Sequence, residues 1–269
     1  MGKYVILNAD FSAMDVLLFV AGAIGFGPAL AVLFFLLRDY DYPRMEKALF
    51  SDTKVFGLVA AGMIMGTVIF LIEWPLYQSF YLPATENSGL VLDYGMFFVI
   101  YVVLFCLAEE GGKLMVLLFP AVRRKFDCVF YGVALGCGIS AVAVLELVFI
   151  TIGQAGALPD AAWFIAIGLY SIALAMLHAS TGAIIAEASQ RGQPWPGFFR
   201  AFALRAVVAT LMLPHFITGN IWFSVPLMLV VSFLALQHVS SKVIPGALPE
   251  EIRATLRKRR GRRPKSVDI

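Results

Sequence analysis

Apolar runs long enough to cross a bilayer recur along the whole of this chain, and they limit its folding more than any other feature. A hydrocarbon core of about 30 Å takes roughly 20 residues of helix to cross. Within that core each backbone N–H and C=O must be satisfied inside the segment or in a closed barrel. Such segments lie near Ala13 to Leu37, Val55 to Ile72, Leu90 to Pro120, Val129 to Gly153, Trp163 to Ala188, Phe199 to Asn220 and Ile221 to His238. The expected fold is all-α: a polytopic membrane protein, a bundle of about seven transmembrane helices. With 60% hydrophobic and 14% charged residues and a mean hydropathy of +0.84, the chain is unlike a soluble domain.

Basic residues give the orientation. Arg38, Arg44, Lys47 and Lys54 follow the first segment, Arg123, Arg124 and Lys125 the third, and Arg191 and Arg200 the fifth. The stretches Glu73 to Asp93, Gln154 to Ala162 and the turn near Gly219 contain no Lys or Arg. The positive-inside rule then places the N-terminus outside and the C-terminus inside, as an odd number of spans requires. No cleavable leader is expected, because Lys3 alone precedes an apolar segment too long for a signal core. The chain reads as a transmembrane domain over residues 1–241 and a basic cytoplasmic tail over 242–269. Nine basic residues between Lys242 and Lys265 make that tail a topological anchor and a candidate surface for anionic lipids; nucleic acid is not an expected partner. Trp74, Tyr77, Tyr81, Trp163 and Trp222 fall near the outer ends of spans, where amphipathic rings prefer to sit. Cys106, Cys128 and Cys137 have no metal-type spacing and read as small packing residues. The localisation that follows is multi-pass, in the cell membrane.

Inside this apolar background stand Glu109, Glu110 and Lys113, within a run from Tyr94 to Pro120. A charge near mid-bilayer costs about 2.5–3.5 kcal/mol on insertion scales, so three of them require a reason. Glu109 and Lys113 are four apart and Glu110 and Lys113 three apart, so either pair could neutralise itself on one helix face. Such a pair needs only one glutamate. Glu146 on the fourth segment, His178 on the fifth, and His215 and Asn220 on the sixth extend the set, and Arg205 also interrupts the sixth. Four consecutive helices thus each present a group able to ligate a metal or move a proton. Counted from the basic ends at about 1.5 Å per residue, Glu109 and His178 lie roughly 15 Å deep, with Glu146 and His215 deeper. Small residues after His178 (Ala179 to Ala183) favour close helix approach, Pro214 should kink the sixth helix, and Gly111-Gly112 should loosen the third.

These groups suit hydrolysis. Cleaving an amide in a membrane requires a held water, a base for its proton and donors for the oxyanion, and carboxylates and imidazoles supply all three. Histidines could instead bind Zn²⁺, which lowers the pKa of a bound water to about 7. Adjacent helical residues point about 100° apart, so Glu109 and Glu110 take separate roles.

The order Glu109-Glu110-x-x-Lys113, then Phe126-Asp127 and Tyr131-Gly132 leading to Gly136 and Gly138, then His178 and His215, resembles the PrsW family of intramembrane proteases. The opening, Ala21 to Pro28 and then Phe34 to Tyr42 with its Arg-Asp-Tyr, is similar as well. That family is related to CAAX-type prenyl-protein proteases and to the seven-span scaffold subunit of gamma-secretase. The resemblance implies an endopeptidase acting on a membrane-anchored protein such as an anti-sigma-type regulator, with Glu109 and Glu110 as the acidic pair and His178 and His215 as catalytic or ligand histidines. It allows a zinc held by His178, His215 and Glu146, or a metal-free glutamate mechanism. Two departures stand out: Ile139 and Ala143 occupy the places of the family's aromatic and glutamate, with Glu146 a turn later, and Gly219 then Asn220 replace its final Asp. Glu146 and Asn220 are the candidates to serve from these shifted positions. Two other functions fit the same residues, a non-catalytic seven-span scaffold and a proton-coupled carrier.

Overall fold

A computed structural model describes residues 2–42, 44–76, 95–123, 125–155, 159–218 and 220–261. Among them every regular element is helical. The long helices are α1 (Gly2–Leu37), α2 (Asp52–Leu76), α3 (Gly95–Leu117), α4 (Cys128–Ala155), α5 (Ala161–Gln190), α6 (Pro194–Thr210), α7 (Val225–His238) and α8 (Glu250–Gly261). Six stretches are long and apolar enough to cross a membrane: Leu18–Leu37, Asp52–Leu76, Cys128–Ile152, Ala161–Gln190, Pro194–His215 and Ile221–Ala247. The protein is a multi-pass membrane protein. Helix α3 is 23 residues long, and it carries the three ionisable residues that set its composition apart. Of the positions read from sequence, Tyr77, Tyr81, Leu90, Asp93, Tyr94, Arg124, Gly219 and Lys265 lie outside the described residues.

Helix α4 is the hub: 67% of its membrane window is buried, against 22% for α2 and for α6. It packs against α1, α2 and α5. Lipid is as apolar as leucine, so this packing draws on close contact rather than on escape from water. Small residues supply the contact. A Cβ on Gly136 would strike the carbonyl of His178, and one on Gly132 would strike that of Gly182. Four residues back on α4 meets four residues on along α5, which fixes an antiparallel register at that crossing. Ser171 Oγ adds a 2.7 Å hydrogen bond to the Ile24 carbonyl of α1.

At the basic end, Phe130 packs against Tyr40 and Phe50, with ring centroids 5.1 and 5.2 Å apart. The neighbouring Tyr131 donates to Asp127 Oδ2 at 2.8 Å and lies beneath the Lys54 ammonium, which is 5.5 Å from its ring centroid. These contacts tie the start of α4 to the α1–α2 connection. Cys106, Cys128 and Cys137 are buried free thiols.

Three local expectations change. Helix α3 runs without a break through Gly111-Gly112, and a Cβ on Gly112 would meet the Met65 side chain of α2, so that glycine admits a neighbour. The sixth segment does not merely kink. α6 ends at Thr210 and a separate helix, Leu213–Thr218, restarts with Pro214 in its first turn, where a missing N–H costs nothing. The chain beyond residue 241 is not all tail, since a π-helical turn at Val239–Val243 carries α7 on into Ile244–Ala247. There Ile244, Ala247 and Leu248 join the core formed by Val129, Phe130 and Tyr131.

Candidate functional site

Helices α3, α5 and α6 place a compact group of charged side chains inside the bundle. Glu110, Lys113, His178 and Thr181 are wholly buried, and Glu109 is nearly so. On α3, positions 110 and 113 share a face, so the Lys113 ammonium reaches Glu110 Oε1 at 2.7 Å. It also lies 2.7 Å from Thr181 Oγ1 and 2.9 Å from His178 Nδ1, both on α5. Thr181 Oγ1 stands 3.2 Å from Glu110 Oε1 and closes the ring. Glu109, one residue earlier, points away and accepts both hydrogen bonds of a fork from Arg205 on α6, at 2.5 and 3.2 Å. The two glutamates therefore do separate jobs, as their angular offset requires. Two carboxylates face two cations, so the cluster is balanced in charge, the condition under which buried ions are tolerated.

The hydrogen bonds also set the histidine. An ammonium has no lone pair to offer, so Nδ1 accepts from Lys113, and in the neutral ring Nε2 carries the proton. His178 Nε2 and Glu110 Oε2 are both buried and have no hydrogen-bond partner among the described residues. A buried donor and a buried acceptor left open on residues of one cluster each call for an explanation, and a reacting group is one. Liganding atoms of Glu109, Glu110 and His178 lie within 4.8 Å of one another. Zinc nevertheless fits this set poorly. Both Glu109 oxygens are held by Arg205, and Lys113 already takes Glu110 Oε1 and His178 Nδ1. A dication would leave two positive charges unmatched in a buried site.

Of the groups singled out in the sequence, Glu109, Glu110 and His178 converge, whereas Glu146, His215 and Asn220 do not join them. The register explains Glu146, because Gly136 is the residue of α4 that faces His178 and Glu146 lies about ten residues, roughly 15 Å, further along. Its carboxyl instead lies beside Thr67 of α2, with Oε2 buried and without a hydrogen-bond partner among the described residues. His215 sits beyond the break that ends α6, with its backbone N–H donated to Ser224 Oγ at 3.1 Å. A metal site made of His178, His215 and Glu146 is thus not assembled. Asn220 is an exposed cap whose Oδ1 accepts from the Trp222 N–H at 3.0 Å.

Three participants lay outside the candidate site read from sequence. Arg205 reads in the sequence as an interruption of the sixth segment, yet two glutamates and one lysine leave a negative charge that another intramembrane cation must meet. Thr181 reads in the sequence only as a small residue. Glu73 reads as part of a connecting stretch, but α2 extends past it and Tyr101 of α3 donates to it at 2.9 Å.

No family model, no curated protein and no solved structure matches the chain.

Proposed function

We propose that this protein is an intramembrane endopeptidase of the PrsW type, crossing the cell membrane seven times with α3 as a span, its N-terminus outside and its C-terminus inside. The observation that carries this reading is the open pair, Glu110 Oε2 and His178 Nε2–H, held by one lysine in a water-excluding bundle. Glu110 takes a proton from water as its oxygen attacks the scissile carbonyl carbon, and His178 Nε2–H donates to the oxyanion that develops. Collapse of that intermediate breaks the C–N bond as Glu110 returns the proton to the leaving nitrogen. Lys113 and Thr181 position both groups, and Arg205 fixes Glu109. The mechanism is of the metal-free glutamate type, and the substrate is a membrane-anchored protein, for example an anti-sigma-type regulator. Entry requires α6 to part from α3 where Arg205 clasps Glu109.

Glu110→Gln and His178→Ala should each abolish cleavage of a membrane-anchored reporter in proteoliposomes while the protein stays monodisperse in detergent. Undiminished cleavage by both would reject the reading. A second reading, a non-catalytic scaffold, is favoured by the complete burial and charge balance of the same cluster. It requires that His178→Ala releases a co-purifying partner and that the wild-type chain cleaves nothing.

A further inference from the structure

At the basic end of the bundle, away from the ion cluster, a cleft of about 250 Å³ is lined by Arg123, Ser189, Gln190 and Gly192. It lies between the short helix Pro120–Arg123, which follows α3, and the last turn of α5. The shape of that turn comes from a tight cap. Gly192 adopts φ +77°, its N–H donates to Ser189 O at 3.1 Å, and the Gln193 N–H donates to Ala188 O at 2.9 Å. The backbone donors of the turn are spent inside it, so the cleft's chemistry belongs to side chains. A Cβ on Gly192 would meet nothing within 4 Å, which leaves the mouth clear.

Two polar atoms of the lining residues lack partners. Ser189 is 1% exposed, and its Oγ is buried without a hydrogen bond. Gln190 is oriented by a 3.0 Å bond from Nε2 to the Ala247 carbonyl, which leaves its Oε1 as a buried acceptor with no donor. Arg123, half-buried, is the one cation of the lining. Its neighbour Arg191 is committed elsewhere, to Glu187 at 2.6 Å. The cleft thus offers one positive fork, one hydroxyl and one carbonyl acceptor. A single negative charge that also brings a hydroxyl donor complements all three.

The depth selects a lipid. The α5 span ends at Gln190, and Trp195 and Phe119, 60% and 63% exposed, flank the lining residues in sequence with bare apolar surface. Aromatic rings in that setting mark the headgroup level. We propose that this cleft binds the headgroup of an anionic phosphodiester lipid bearing a free hydroxyl, of the phosphatidylglycerol kind. Arg123 holds the phosphate, the headgroup hydroxyl donates to Gln190 Oε1, and Ser189 Oγ bridges them. The site is independent of the proposed chemistry at Glu110 and His178, and it is separate from the basic helix α8.

The test is lipid retention by the purified full-length protein, read by native mass spectrometry after exchange into mixed micelles of phosphatidylglycerol and phosphatidylcholine. Wild type should retain one phosphatidylglycerol in preference to phosphatidylcholine, and Arg123→Gln should lower that retention about tenfold. Ser189→Ala should cost about threefold, while Arg191→Gln should stay within about twofold of wild type. If Arg123→Gln fails to remain monodisperse, Arg123→Lys replaces it, with a loss of about threefold expected from removing the fork alone. Equal retention of the two lipids, or equal losses from Arg123→Gln and Arg191→Gln, would overturn the site in favour of diffuse surface charge. Soluble glycerol phosphate displacing the lipid at equal concentration would overturn the membrane source.

Discussion

At the level of His178, six polar side chains from three helices close on one another, whereas Glu146 lies about 15 Å further along α4, and His215 and Asn220 lie beyond the break after Thr210, none of them joined to the cluster. Both groups consist of the residue types that chemistry in a membrane demands. The difference is register: α3, α5 and α6 bring their charges to one height, and the break after Thr210 together with the position of Glu146 on α4 separates the rest. Residue type therefore nominates a site, and helix alignment decides whether it exists.

The sharpest way to break this contrast is Lys113→Met, which strands the Glu110 charge. It should cost about 3–5 kcal/mol in a detergent unfolding titration. Pairing it with Glu110→Gln should recover much of the loss, and additive effects would dissolve the cluster as a unit. Gly136→Leu comes next. It drives a side chain into the His178 carbonyl and should cost about 1–3 kcal/mol while also abolishing cleavage. Arg205→Met is expected to destabilise comparably, and Arg205→Lys less so, because lysine keeps the charge and loses the fork to Glu109. In the second group effects should be small: Glu146→Gln should leave cleavage within about twofold, and Asn220→Ala should cost under about 1 kcal/mol as a lost cap. A large loss of cleavage from Glu146→Gln would put that residue back in the site.

Much of this was legible beforehand. Apolar length located the helices, and the glutamates stood out against their surroundings along with His178. Arg205 is harder, because a single basic residue inside a span reads only as an interruption until the charges of a distant helix are summed against it. His215 misled for a different reason: Pro214 signals a disturbed helix, but whether the chain bends or stops depends on tertiary partners such as Ser224 Oγ. Glu146 was out of reach because a one-dimensional depth count cannot see which residue of α4 faces which residue of α5.

The inward return of Ile244, Ala247 and Leu248 bears on how the protein is handled and made. Trimming the chain after residue 249 would remove the charged helix together with Ile252 and Leu256, which pack on the margin of that core, whereas a cut at 241 would also take Ile244, Ala247 and Leu248 away from Phe130 and Tyr131. Biosynthesis meets the same constraint, since the core around the start of α4 cannot be sealed until residues 244–248 have been made.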